Sequence, residues 1–337
     1  MAARNPLLDA PGMAQARDRV EKRLLGAVET GDAAMTEMAS HLIRAGGKRQ
    51  RPLFAVVAAA TRTGVEGGAD GEVAVLDDAV TGGVSVELVH IGSLYHDDVI
   101  DESPTRRTVE SVNARWGNLR AILAGDFLLA RASELAASLG TEVAGLLAAT
   151  IGRLCEGELR ELGKAYQLDR TEADYLAAIE GKTASLFATA CRIGGIVAEL
   201  PRPDIDALGA FGLGYGMAFQ MVDDVLDVVA SDDELGKPAG HDMAEGVYNL
   251  PVLRTLAAGG PEADRLGALL GGPLTPNAQA EALAIVRGGP GVAEAAAAAR
   301  TAAEDAVGVL AGLPPSAAVD GLAGAARHLV AGLDGRT

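Results

Sequence analysis

The chain has 337 residues, of which 49% are hydrophobic and only 3% aromatic, and it carries a formal net charge of -17. That length allows a large core of aliphatic side chains and alanine, so one domain is expected over 13–337, behind a loose lead-in at 1–12. The acidic excess excludes nucleic acid or an anionic membrane surface as the main partner. No signal pattern and no uncharged run of twenty residues suggest secretion or a membrane span, and Cys155 and Cys191, without CxxC spacing, read as buried thiols of a cytoplasmic protein.

Helical periodicity runs from about Met13 to Arg44. Next comes Gly46-Gly47-Lys48-Arg49-Gln50-Arg51-Pro52, three cations on a turn, with Pro52 suited to the first position of an apolar helix from Leu53 to Ala60. Free N–H groups, the helix dipole and an arginine fork together make an anion site, although a lone basic turn is usually just solvated. Thr63 to Glu72 reads as a Gly-rich loop and Val73 to Asp101 as a helix, in which Gly82-Gly83 permits a bend or a close crossing. Asp77-Asp78 has no third acid in register and reads as surface charge.

That helix ends in His96-Asp97-Asp98-Val99-Ile100-Asp101. Asp97 and Asp101 stand one above the other with Asp98 beside them, and like charges at this spacing cost about 0.2–0.5 kcal/mol even when exposed. A cation is expected there. Oxygen ligands with no Cys or paired His nearby point to magnesium, completed by water and substrate phosphate; a solvated acidic helix end is the bland alternative. His90 lies two turns earlier, either a satisfied core histidine or a ligand on the acid face. Beyond the acids, Arg106-Arg107 closes a loop with two side chains pointing apart, one for each of two phosphates.

Val112 to Leu139 reads as a helix broken near Trp116-Gly117-Asn118, with the lone Asp126 either a hydrogen-bonded core acid, the favoured reading, or a support for residues of a site. Glu142 to Gly163 is another helix, its Glu156-Gly157-Glu158 read as surface charge. Thr171 to Asp174 is a cap, weaker than a true capping box, for a helix running to Leu200, with Lys182-Thr183 interrupting apolar surroundings. Asp204 to Ala230 carries a second acidic cluster, Asp223-Asp224-Val225-Leu226-Asp227. Its Gly212, Gly214 and Gly216 form no dinucleotide fingerprint, because no strand-to-helix turn surrounds them. Asp232-Asp233-Glu234 is polar loop, Lys237 follows it, and the remainder is Ala-rich helix.

Taken in order, GGKRQRP at 46–52, HDDVID at 96–101 followed by SPTRR, WGN at 116–118, GDFLLARA at 125–132, GKTASLF at 181–187, FQMVDDVLD at 219–227 and ELGKP at 234–238 resemble the trans-isoprenyl (polyprenyl) diphosphate synthases. The resemblance spans roughly Arg44 to Pro251. It implies an all-α, isoprenoid synthase-type bundle of long helices around a deep central cavity, normally a homodimer, that condenses isopentenyl diphosphate head to tail with an allylic diphosphate. By that resemblance Asp97, Asp98, Asp101, Asp223, Asp224 and Asp227 surround several Mg2+ ions clamping the allylic diphosphate. Arg106, Lys182, Thr183, Gln220 and Lys237 hold the same group, and Lys48, Arg51, His90 and Arg107 hold the isopentenyl diphosphate. Val247-Tyr248-Asn249 departs from the Lys-x-Thr of many relatives, which puts one phosphate contact in doubt.

The allylic tail should run down the helix from Asp97 past Ser93, Gly92 and Val89. Position 92 lies about 7.5 Å below the acid, where a ring would floor the cavity. In the family it resembles, an aromatic there accompanies short products, so by that resemblance glycine implies a medium or long product, thirty carbons or longer rather than twenty, with peripheral membrane contact for a long product; Tyr95 is expected to face a neighbouring helix instead. The rival readings are a shorter-chain farnesyl or geranylgeranyl synthase, a class I terpene cyclase and a catalytically silent partner subunit.

Overall fold

A computed structural model describes residue 7 and residues 13–62, 69–231 and 239–336. Lys237 and Asp232-Asp233-Glu234 lie outside the described residues, as does nearly all of the 1–12 lead-in. The architecture is all-α, with one short hairpin, β1 (Thr105–Arg106) and β2 (Val109–Glu110), among the described residues. None of the described helices is long and apolar enough to cross a membrane.

The chain divides into two compact units that interleave in sequence. One contains residues 1–151, 186–212 and 310–324, the other 152–185, 213–309 and 325–337. In the first, α1 (Met13–Ala27) and α2 (Ala33–Arg44) are separated at Asp32, whose carboxylate caps α2 by accepting from Ala34 and Met35 N–H. The single helical stretch expected there is therefore two. α3 (Gln50–Ala59) starts earlier than expected and places Pro52 within its first turn. α4 (Ala69–Ile100) is the spine of this unit, packed on α3, on α1 and on α6 (Asn118–Ser138). Gly117 breaks α5 (Val112–Trp116) from α6 where the sequence indicated.

Small residues let these helices touch. A β-carbon at Gly83 would lie 2.8 Å from Pro52 Cα, and one at Gly194 would lie 2.1 Å from Ala55 O, so both are close crossings with α3. Phe54 meets Phe187 edge-on at 5.5 Å between ring centroids in a mainly aliphatic interior. Asp77 is more than the loose surface charge expected. It accepts from Arg19 at 2.6 Å and Arg23 at 2.9 Å and so ties α1 to α4.

In the second unit the end of α7 (Thr141–Gly163) lies against α8 (Glu172–Ile179) and a π turn, Glu180–Ala184, which leads into α9 (Ser185–Val197). Thr171 and Asp174 form a complete capping box for α8, stronger than the cap expected. α10 (Arg202–Val229) carries the late acidic cluster, and α11 (His241–Ala244) follows it. The unit continues through α12 (Leu250–Ala257), α13 (Gly260–Leu269), α14 (Pro276–Gly288) and α15 (Gly291–Val309). α16 (Ala317–Ala331) ends the helices. Cys191 is buried, as expected, and burial pushes its thiol pKa up. Cys155 is exposed, contrary to expectation, because it sits on the open face of α7.

Candidate active site

In the first unit, α4 delivers both kinds of expected group. Its C-terminal end presents Asp97 half-buried, Asp98 fully buried and Asp101 exposed. Asp98 Oδ1 accepts from Arg106 Nε at 2.7 Å, while its Oδ2 is buried with no hydrogen-bond partner among the described residues. Burial raises the Asp98 pKa against the opposing effect of Arg106. Asn113, which the sequence gave no reason to single out, braces this end by donating to Asp98 O at 2.8 Å and to Ser103 O at 3.2 Å.

Two turns back, His90 stands among cations. Its pKa lies well below the usual histidine value, through burial first and then through Arg51, Arg107, Arg49 and Arg106. The structure therefore brings His90, Arg51 and Arg107 together. Lys48 is exposed on the turn beside them. The two adjacent arginines diverge: Arg106 turns to Asp98, and Arg107 donates to Leu42 O at 3.1 Å and to Gly46 O. The Arg51 guanidinium lies 4.6 Å from the centre of the Phe187 ring.

In the second unit, Lys182 projects from the π turn, a helix irregularity that often marks functional positions. It pairs with Glu158 at 2.7 Å and Glu161 at 2.6 Å. Burial lowers its pKa, but the two carboxylates outweigh that and raise it. Glu158 is thus a partner of Lys182 and corrects its reading as surface charge; the i, i+3 spacing of Glu158 and Glu161 on α7 was the available signal. Thr183 donates to Gln220 at 3.0 Å, Gln220 to Asp224 Oδ1 at 2.9 Å, and Tyr175 to Asp224 Oδ2 at 2.6 Å. Asp224 has a pKa well above the usual value, from burial first, then from Asp242 and Asp223, despite its two hydrogen bonds. Tyr175, Arg170 and Asp242 are site neighbours that sequence patterning missed, since each is a single polar residue without a repeating partner. Arg170 is buried, 3.8 Å from Glu161 and 5.9 Å from the Tyr175 ring centre.

Other expectations change. Asp126 is exposed, with His96 Nε2 at 3.4 Å, and is not a core acid. Gly92 does not border open space: a β-carbon there would meet Gly125 O at 3.2 Å and Leu129 Cδ2 at 3.3 Å on α6. Val89 is buried, and Ser93 is the half-buried member of the expected product-length set. Tyr95 is buried against α2, as expected, donating to Met38 O at 2.7 Å.

Among the described residues no three His, Cys, Asp or Glu side chains gather into a ready-made metal cage. A magnesium site that uses one or two carboxylates and completes its shell with water and phosphate does not need one. The donor chemistry fits such an ion: all-oxygen ligands, an unfilled buried Asp98 oxygen, and an excess of negative charge around Asp224.

Residues 32–286 match the family model described as polyprenyl synthetase. The chain belongs to that family. Among polyprenyl synthetases it is similar to the nonaprenyl diphosphate synthase of Mycobacterium tuberculosis, 40% identical over 279 residues that cover 82% of this chain and 80% of that one. In structure it is similar to a decaprenyl diphosphate synthase from Rhodobacter capsulatus, with a TM-score of 0.86 and 31% identity over 96% of this chain and 98% of that one. It is also similar to a polyprenyl synthase from Caulobacter crescentus complexed with calcium and isoprenyl diphosphate, with a TM-score of 0.87 and 31% identity over 96% of each chain. These polyprenyl synthetases share the all-α architecture expected from the sequence.

Proposed function

We propose that this protein is a Mg2+-dependent trans-prenyltransferase of the cytoplasm. It condenses isopentenyl diphosphate head to tail with an allylic diphosphate, giving a trans-polyprenyl diphosphate of thirty carbons or longer and pyrophosphate. The observation that carries this reading is the double character of α4, which ends in Asp97, Asp98 and Asp101 and bears, two turns earlier, a histidine among four guanidinium groups. One helix offers cation ligands and an anion pocket together. The long product is favoured by the nonaprenyl and decaprenyl names of its relatives.

Asp97, Asp98, Asp101, Asp223, Asp224 and Asp227 would hold the magnesium ions. When bound there, Mg2+ supplies positive charge to the allylic diphosphate oxygens. Arg106, Lys182, Thr183, Gln220 and Lys237 bind the same diphosphate and absorb the negative charge that grows as its C–O bond breaks, a stabilisation concentrated in the transition state. Lys48, Arg51, His90 and Arg107 hold isopentenyl diphosphate so that its double bond meets the allylic carbon. Aliphatic side chains exclude the water that would trap the cation. The departing pyrophosphate takes the final proton.

A homodimer is part of the proposal. On α6, Leu119 and Leu123 lie one turn apart and are 80% and 59% exposed, an apolar strip suited to a second copy. Incubation with labelled isopentenyl diphosphate, an allylic primer and Mg2+, followed by mass spectrometry, tests the activity. Labelled polyprenyl diphosphate that disappears on chelation supports it. Consumption of the primer without label makes the protein a cyclase, and no turnover makes it a silent subunit.

A further inference from the structure

Arg49 lies between Lys48 and Arg51 in the basic turn, yet it is 2% exposed and faces inward. Its Nε and Nη2 donate to the two carboxylate oxygens of Glu21 at 2.8 and 3.2 Å. Its Nη1 donates to Glu87 at 3.1 Å, and Nη2 also reaches Ile43 O at 2.8 Å. One side chain thus joins α1, the end of α2 and α4.

The backbone of Arg49 is left-handed, with φ 49° and ψ 37°, as it turns into α3. Residues with a β-carbon adopt that conformation uncommonly. Glu21 and Glu87 are the carboxylates that hold the side chain of Arg49 while its backbone does so. The turn is also wrapped closely around two guanidinium groups: a β-carbon at Gly47 would lie 2.8 Å from Arg49 Nη1 and 3.0 Å from Arg107 Nη1. Glu87 serves both cations, pairing with Arg49 and favouring the charged form of Arg107 against burial and the neighbouring arginines. The triad is buried at Arg49 and Glu87 and partly open at Glu21; buried charges of this kind add little stability over an apolar replacement, and their best-attested use is to select one geometry.

We propose that Glu21 and Glu87 are positioning residues for isopentenyl diphosphate. By holding Arg49 inward in its left-handed conformation, they aim Lys48 outward, set Arg51 at the start of α3 and fix the wall against which Arg107 lies. Neither carboxylate touches the substrate. The inference rests on the reading of Lys48, Arg51, His90 and Arg107 as the isopentenyl diphosphate pocket.

Steady-state kinetics of the full-length Glu21→Gln protein, with each substrate varied in turn, is the test. The KM for isopentenyl diphosphate should rise about tenfold, while kcat and the KM for the allylic diphosphate stay within about twofold. Partial misfolding would instead lower kcat and leave both KM values in place. Glu87→Gln should act in the same direction and more strongly; where it fails to fold, Glu21→Gln decides. Lys48→Ala separates the inference from the reading beneath it. A raised isopentenyl diphosphate KM in Lys48→Ala with none in Glu21→Gln overturns the positioning role alone. No rise in either protein overturns the pocket as well, and an equal rise for both substrates in Glu21→Gln overturns the selective role.

Discussion

The hydroxyl of Tyr175 donates to Asp224 Oδ2 at 2.6 Å, while Gln220 donates to Asp224 Oδ1 at 2.9 Å. The second aspartate of the late motif is thereby fixed at both oxygens. Its counterpart in the early motif, Asp98, is likewise buried and held, by Arg106 at 2.7 Å. The first aspartates differ, Asp97 being half-buried and Asp223 exposed. Each motif thus has an inner acid that organises its neighbours and a more open acid ahead of it.

Tyr175→Phe should expose the consequence of that division. Loss of the donor leaves a buried carboxylate oxygen unmet, which costs about 1–3 kcal/mol of stability. With Asp224 in its proposed role as a magnesium ligand, the Mg2+ concentration giving half-maximal activity should rise about tenfold, in line with the usual effect of removing a group that orients a metal ligand. Titration of activity with Mg2+ measures it, and an unchanged requirement would show that the hydroxyl only packs.

Lys182 offers a second separation of roles. Lys182→Ala leaves Glu158 and Glu161 facing each other and, in the role proposed for it, removes a cation from the allylic diphosphate, so stability and turnover should both fall, turnover by about a hundredfold. The double variant Lys182→Ala/Glu161→Gln relieves the repulsion and should recover melting temperature without recovering turnover. Parallel recovery of both would remove Lys182 from the reaction.

Product length should respond at Ser93. It lies one helical turn before Asp97 and is half-buried, so Ser93→Phe should shorten the product while the protein stays folded. Gly92→Phe should behave differently, because even its β-carbon would press on Gly125 O at 3.2 Å and Leu129 Cδ2 at 3.3 Å on α6. Overpacking of that kind typically costs about 1–3 kcal/mol. Chromatography of products beside thermal melts distinguishes them; an unchanged melting temperature in Gly92→Phe would contradict the crossing.

Asp77 sets a pH dependence of stability. Burial pushes its pKa up, but the bonds from Arg19 and Arg23 prevail and hold it below the usual aspartate value. A depressed carboxylate pKa stabilises the fold above the unfolded value near 3.9, and that contribution is lost as pH falls through the folded pKa. The side chain is 45% exposed, so the difference between wild type and Asp77→Asn at pH 7 should stay below about 1 kcal/mol. Melts at pH 7 and pH 3 test it: the gap should be narrower at pH 3 than at pH 7.

Much of this was legible because it repeats or keeps a period. Two acid clusters at helix ends, a glycine-framed basic turn and long apolar helices can all be read from spacing, and the break at Gly117 from glycine chemistry. The inward turn of Arg49 was not legible, since its partners Glu21 and Glu87 are distant in sequence and lie on separate helices. Asp126 misled for the opposite reason: an apolar neighbourhood in sequence says nothing of which side of α6 faces outward. Gly92 had the right composition for an open cavity wall, but only the crossing angle of two helices determines whether a missing side chain leaves a void or admits a neighbour.

The backbone beneath Lys182 has a dynamic consequence. A β-carbon at Gly157 would lie 2.5 Å from Lys182 N, and one at Gly181 would lie 2.8 Å from Arg153 O, so two main chains are clamped together below the ammonium group. In the role proposed for Lys182, its transfer from two glutamates to an arriving phosphate would need side-chain torsions alone, with no movement of this clamped backbone. Amide hydrogen exchange across Gly181 to Thr183 should accordingly stay slow whether or not an allylic diphosphate is bound.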